Sequence, residues 1–282
     1  MSILNLTPDS FSSDGLLSSP VTSTASALVA AAQAHIAAGA GILDVGGMST
    51  RPGADDVSEE EETRRVVQGI TALRSAGINT PISVDTFRAS VARAALAAGA
   101  NAINDVRAGS EPGMLAVMAQ ASCPVILMHS RGTPKTMGSL TTGYANEDIV
   151  IAVRDSLKTS VDAALAAGVK KWNIVLDPGL GFAKTSDQSL ALLSRLDELV
   201  APGSGLEGYP VLVGGSRKRF VGEVTGVESA AERVSGSLGV VAGCFLGKGE
   251  GGRRVTKVVR VHDTKETKEL VKVLEAVGRG TV

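Results

Sequence analysis

Cysteine and aromatic residues are scarce in this chain of 282 residues: two Cys, and 3% Phe, Trp and Tyr together. Cys123 and Cys244 have no CxxC spacing and too few partners for a disulfide framework, so both are expected as reduced thiols in the core. With so few rings, that core must be built from Ala, Val, Leu and Ile. No apolar run approaches the roughly 18–20 residues that cross a bilayer, so a soluble, globular protein with no membrane partner is expected. Neither sign of charge is in excess. Lys plus Arg (28) nearly cancels Asp plus Glu (29), and a net charge of -1 excludes the broad positive field on which non-specific nucleic-acid binding depends. Any anion site must therefore be local. The start, Met1 to Leu6, shows no basic segment ahead of a long apolar one, so no signal peptide is expected. Glycine is what the chain has in plenty: 33 residues against a usual share of about 7%, which predicts many tight backbone turns.

Short aliphatic runs bounded by turn residues recur at Ser2 to Thr7, Ile42 to Gly46, Ile82 to Thr86, Ala102 to Val106, Val125 to His129, Ile174 to Asp177, Val211 to Gly215 and Val258 to Asp263. Between them lie stretches with helical spacing: Thr24 to Ala38, Glu59 to Ser75, Arg88 to Ala98, Met114 to Ala121, Asp148 to Ala167, Gln188 to Val200, Ala230 to Leu246 and Lys265 to Val277. Ser58 with Glu61, and Asp263 with Glu266, have the spacing of capping boxes. The phrase Ala-Ala-Gly closes three helices, at Gly39, Gly99 and Gly168, where a left-handed residue would end the helix and feed the next strand. Gly247 to Gly252 reads as a surface loop. Strict βα alternation at a length near the roughly 250 residues of a (β/α)8 barrel predicts an α/β fold of that type, a TIM barrel, as one domain over residues 1–282.

The strands end, or turn, on Asn5, Asp44, Asp85, Asn104-Asp105, His129, Asp177, Ser216 with Lys218, and Arg260 with His262. In such a barrel these positions face one rim, where the βα loops build the active site. Gly214-Gly215-Ser216-Arg217-Lys218-Arg219 follows strand seven, where barrels often bind phosphate through backbone N–H groups and a helix N-terminus. Arg51, Arg260 and His262 add positive charge from other loops, and a phosphorylated or pyrophosphorylated substrate suits them. Asp85, Asn104 and Asp177 offer acceptors to the donor-rich edge of a planar heterocycle. Asn5 beside a pyrophosphate would complete a Mg2+ shell, because Mg2+ takes few protein oxygens besides phosphate and water.

These residues fall into seven ordered motifs spread over essentially the whole chain. They are Ile3-Leu4-Asn5-Leu6-Thr7-Pro8-Asp9-Ser10-Phe11, Asp44 to Gly53, Ser83-Val84-Asp85-Thr86, Ile103-Asn104-Asp105, Asp177-Pro178-Gly179-Leu180-Gly181-Phe182, Ser216-Arg217-Lys218 and Arg260-Val261-His262-Asp263. In them the chain resembles dihydropteroate synthase, the sulfonamide-target family of folate biosynthesis. The resemblance implies a transferase that condenses 6-hydroxymethyl-7,8-dihydropterin diphosphate with 4-aminobenzoate. It implies that Asp85, Asn104, Asp177 and Lys218 hold the pterin, that Asn5, Arg217, Arg260 and His262 surround the pyrophosphate with Mg2+, and that Thr50, Arg51, Pro52, Phe182 and Ser216 shape the aminobenzoate pocket. Asp85, Asp177 and Lys218 are the candidate catalytic groups among these, and Asn5 the metal ligand.

Two departures stand out. Asp14 lies one position beyond the Asp that usually follows Phe-Ser in the family, and the chain begins inside strand one. Met48 and the Gly247 to Arg254 segment are more like the fungal members, which are fused behind other folate enzymes. A homodimer in the cytoplasm is expected, or in the mitochondrion if the chain is part of a longer fungal polypeptide. The rival readings are a barrel that passes methyl from methyltetrahydrofolate to a corrinoid protein, which has no need of Thr50-Arg51 or Ser216-Arg217-Lys218, and a non-catalytic pterin-binding module.

Overall fold

A computed structural model describes residues 1–6, 21–48, 57–132, 136, 141–144, 147–246 and 254–279. Its elements run β1 (Ser2–Asn5), α1 (Val21–Ala37), β2 (Leu43–Gly46), α2 (Glu59–Ser75), β3 (Ile82–Asp85), α3 (Ala89–Ala97), β4 (Ala102–Asp105), α4 (Met114–Ala121), β5 (Val125–Met128), α5 (Ile149–Ala166), β6 (Ile174–Asp177), α6 (Ser186–Ser194), β7 (Val211–Gly214), α7 (Arg219–Thr225), α8 (Val234–Leu246), β8 (Thr256–Arg260) and α9 (Thr264–Arg279). The strands follow one another in a single sheet in chain order, and every pair with a described register is parallel. This is the (β/α)8 barrel that the alternation predicts. Two compact units make up the chain: Met1–Met128 with Ser160–Ile174, and His129–Thr159 with Val175–Val282.

In the first unit the strands are buried along nearly their whole length, as in a parallel sheet covered on both faces, with aliphatic residues alternating with buried polar ones such as Asp44 and Ser83. Leu43, Val45, Ile82, Val84, Ile103, Val125 and Leu127 are fully buried. Helix α2 opens with Ser58 accepting from the Glu61 N–H. The Glu61 carboxylate turns forward to Arg64 and Arg65, so the expected box is made by half. All three Ala-Ala-Gly phrases close helices as expected. Gly39, Gly99 and Gly168 have φ of 100°, 111° and 100°, and each sits in a paired turn such as Gly99 N–H to Leu96 O with Ala100 N–H to Ala95 O. That pattern satisfies carbonyls the helix would otherwise leave open.

The second unit departs from the sequence reading at four elements, one of them α8, which starts at Val234 rather than Ala230 behind a 3-10 turn over Ala230–Glu232. Helix α6 starts at Ser186 rather than Gln188, because Thr185 and Gln188 form a full capping box; it ends at Ser194, with a 3-10 turn over Leu196–Val200. Helix α7 is an element that the periodicity did not predict. It is seven residues long and contains Gly222, where a Cβ would lie 2.4 Å from Arg233 Nε and 2.6 Å from Val227 O, so close packing rather than an apolar stripe defines it. Strand β8 starts two residues earlier and ends three earlier than the expected Val258 to Asp263. Past Arg260 the polar groups turn to side chains: Ser216 Oγ accepts from His262 N–H, and the Asp263 carboxylate accepts from Arg217. Asp263 thus spends its carboxylate on Arg217, where a cap on α9 was expected.

Cys244 is buried, and burial pushes its thiol up to about 12, but Cys123 is only half-buried, contrary to its expected place in the core; neither is in a disulfide. No helix among the described residues is long and apolar enough to cross a membrane. The expected Gly247 to Gly252 loop lies outside the described residues.

Candidate active site

In the first unit, parallel register sets Asn5 opposite Gly46, Gly46 opposite Asp85, and Asp85 opposite Asn104. Three of the residues singled out in the sequence therefore stand in one row at the carboxyl ends of β1, β3 and β4. Asp85 and Asn104 are buried and Asn5 is half-buried. Asn104 Nδ2 donates to Asp44 Oδ2 at 3.1 Å, which commits the amide nitrogen and leaves its carbonyl oxygen to accept.

Glu62 supports this rim and was not legible as a site residue, since the run Glu59 to Glu62 reads as a solvated helix start. It is wholly buried. Thr86 Oγ1 donates to it at 2.6 Å and Arg88 Nη1 at 2.5 Å, fixing the turn that follows Asp85. Burial raises the Glu62 carboxyl above its ordinary range, against the hydrogen bond from Thr86 and the charge of Arg88. Gly47 packs against the same residue, where a Cβ would sit 3.0 Å from Glu62 O and 2.9 Å from Val66 Cγ2.

Asn5 brings a neutral carbonyl oxygen to a place flanked by Gly46, whose added Cβ would lie 3.6 Å from Asn5 Oδ1. Among the described residues no group of three or more His, Cys, Asp or Glu could hold a metal ion. This donor set does not fit a metal caged by protein. It fits a Mg2+ that takes one protein oxygen and completes its shell with substrate phosphate and water.

In the second unit, Asp177 is buried at the end of β6, and its Oδ1 accepts from Gly179 N–H at 2.7 Å. Burial raises its carboxyl, opposed by the charge of Lys218, the Gly179 N–H, and the charges of Arg260 and Lys184. Lys218 Nζ donates to Leu180 O and lies 4.1 Å from the centre of the Phe182 ring, within cation–π range. Four residues named from sequence, Asp177, Phe182, Lys218 and Arg260, are thus brought together.

The next loop supplies the rest. Ser216 is buried, with Oγ 3.0 Å from His262 Nδ1. Arg217 has a left-handed backbone (φ 59°), held where its N–H donates to Ser237 Oγ at 2.8 Å, and its guanidinium grips Asp263 at 2.5 and 3.1 Å. Gly215 leaves no room for a side chain, since a Cβ would come within 2.5 Å of Val240 Cγ1. Thr50, Arg51 and Pro52, with Asp14, lie outside the described residues. Sequence reasoning also passed over Lys184, a buried lysine beside His129 at the end of β5.

Residues 1–277 match the family model described as pterin binding enzyme. The chain is 42% identical to the dihydropteroate synthase of Synechocystis over 99% of its own length and 90% of that protein. It is 44% identical to a folic acid synthesis protein of Schizosaccharomyces pombe over 98% of its own length, but spans only 36% of that longer protein. Among solved structures, the Xanthomonas albilineans dihydropteroate synthase with 4-aminobenzoic acid shares the fold at a TM-score of 0.84 and 39% identity, covering 99% of this chain and 92% of that one. The chain belongs to the pterin binding enzymes and, among them, to the dihydropteroate synthases.

Proposed function

We propose that this protein condenses 6-hydroxymethyl-7,8-dihydropterin diphosphate with 4-aminobenzoate, giving 7,8-dihydropteroate and pyrophosphate. The observation that carries the reading is the Asp177 group, in which a buried carboxylate, the Lys218 ammonium and the Phe182 ring are held together by one loop. A carboxylate accepts from the donor-rich edge of a pterin, an ammonium donates to its carbonyl and ring nitrogens, and a ring face packs against an aryl amine. Asp85 and Asn104 are acceptors of the same kind. Ser216 and Phe182, with Thr50, Arg51 and Pro52, take the aminobenzoate.

The leaving pyrophosphate carries growing negative charge, which Arg260, His262 and Arg217 stabilise in place. Asn5 would hold a Mg2+, which would supply positive charge to neutralise the phosphate oxygens. The methylene carbon left behind is electron-poor, and the Asp85 carboxylate stabilises it by charge. The substitution is therefore dissociative: the carbon–oxygen bond breaks ahead of attack by the neutral aryl amine, which needs no strong general base.

The catalytic unit of this proposal is the whole chain as one domain over residues 1–282, in keeping with a family model that runs through residues 1–277. A homodimer in the cytoplasm belongs to the same reading. So does an upstream fusion to other folate enzymes, supported by the longer S. pombe relative. The test is pyrophosphate release that depends on both substrates, with a sulfonamide competing against 4-aminobenzoate. Pterin binding without turnover would leave a binding module, and competition against the pterin alone would contradict the assignment of the aminobenzoate pocket.

A further inference from the structure

Alone among the described lysines and arginines, Lys184 is buried, at 4% exposure. An ammonium has three N–H donors and no acceptor. Lys184 Nζ has three neighbours to receive them: His129 Nδ1 at 2.8 Å, Gly179 O at 3.0 Å and Phe182 O at 3.1 Å. Two of these belong to the loop that joins Asp177 to α6. That loop has a left-handed backbone at alternate residues, with φ of 65° at Gly179, 74° at Gly181 and 47° at Ala183. Such a path makes no regular ladder: Phe182 N–H donates back to Gly179 O at 3.1 Å, and side chains supply further donors to the loop's carbonyls. Lys184 supplies Gly179 O and Phe182 O, and Lys218 supplies Leu180 O. The third contact reaches the end of β5, whose His129 N–H donates to Asp177 O at 2.9 Å. Burial, then the Lys218 charge, holds the Lys184 ammonium well below its ordinary range, and as an ammonium it donates to His129 Nδ1, which places the imidazole proton on Nε2, 3.5 Å from the Tyr144 hydroxyl.

We propose that Lys184 is a positioning residue, a three-way clamp that sets Asp177 and Phe182 in the geometry the substrates require and locks His129 as a neutral acceptor. The inference rests on the synthase reading only for what the loop binds; the clamp itself is a property of the fold. Burial, then the Lys184 and Arg131 charges, hold His129 well below the ordinary imidazole range. Removing Lys184 leaves Arg131 and the Tyr144 hydroxyl as its remaining neighbours of this kind.

The test compares wild type with Lys184→Met, which keeps length and apolar packing but no donors, and Lys184→Gln, which keeps two N–H groups. Steady-state kinetics on the folded fraction should show KM rising about tenfold or more for both substrates in Lys184→Met, with Lys184→Gln between it and wild type. A lower kcat at unchanged KM means a merely structural lysine and overturns the proposal. The second reading is imidazole 15N NMR, simple to assign with three histidines in the chain. The pH at which His129 protonates should be higher in Lys184→Met than in wild type, since the Lys184 charge is lost while burial and the Arg131 charge remain. If wild type itself does not turn over, the proposed reaction fails and the His129 titration decides alone: identical curves in wild type and variants overturn the clamp.

Discussion

Asn104 Nδ2 donates to Asp44 Oδ2 at 3.1 Å, although the two residues sit on β4 and β2 with β3 between them. The contact follows from barrel geometry, in which each interior layer of side chains is drawn from alternate strands. Asp44 is wholly buried one pleat below the row of Asn5, Gly46, Asp85 and Asn104, and it acts by fixing which end of the Asn104 amide is left to accept. Asp44→Ala should let the amide rotate. Losing a buried charged partner is worth about 1.5–3 kcal/mol, so KM for the pterin diphosphate should rise at least about tenfold. Asp44→Asn, which still offers an acceptor, should recover most of the loss; equal KM in wild type and Asp44→Ala would show that the amide needs no such anchor.

Asp85→Asn keeps volume and removes charge. Electrostatic groups aimed at developing charge are each worth about 100-fold to 1,000-fold in turnover, so kcat should fall by that order while thermal unfolding stays cooperative. Near-normal kcat would take Asp85 out of the mechanism.

Glu62→Ala tests the support beneath that rim. It leaves Arg88 and the Thr86 hydroxyl without the carboxylate they now share. Breaking a buried pair from one side costs about 3–5 kcal/mol, an upper figure here because the Arg88 side chain is 19% exposed. Chemical denaturation should show a loss of at least about 2 kcal/mol, and a loss under 1 kcal/mol would mark Glu62 as a bystander.

The contrast between Glu62 and Asp85 explains what the sequence could disclose. Asp85 ends a buried strand, and a strand end in a βα barrel has a known address, so its place on the rim was legible. The three Ala-Ala-Gly closures were legible for the same reason, since local backbone geometry demands glycine there. Glu62 and Lys184 were not legible, because each is defined by partners distant in the chain: Glu62 lies 24 residues from Thr86, and Lys184 lies 55 from His129. Helix α7 escaped because its Gly222 answers to Arg233 and Val227 rather than to an apolar period. The pairing of Arg217 with Asp263 across 46 residues likewise changed the meaning of a residue whose spacing alone suggested a helix cap.

Asp105 gives a prediction in pH. Its carboxylate accepts from Arg107 N–H at 2.8 Å and Gly109 N–H at 2.7 Å, yet burial pushes its pKa from an ordinary 3.8 up to about 6. A carboxyl with a raised folded-state pKa binds more protons folded than unfolded between those values, so its contribution is complete below pH 3.8 and is lost as pH rises through 6. That is on the order of 3 kcal/mol, at 1.36 kcal/mol per pKa unit. Asp105→Asn cannot titrate, and its one mismatched N–H contact shifts stability equally at every pH. Wild type should therefore lose ground against Asp105→Asn from pH 4 to pH 7 when both are unfolded in urea. A difference that stays flat across that range would mean that the two backbone donors outweigh burial and that Asp105 is ionised throughout.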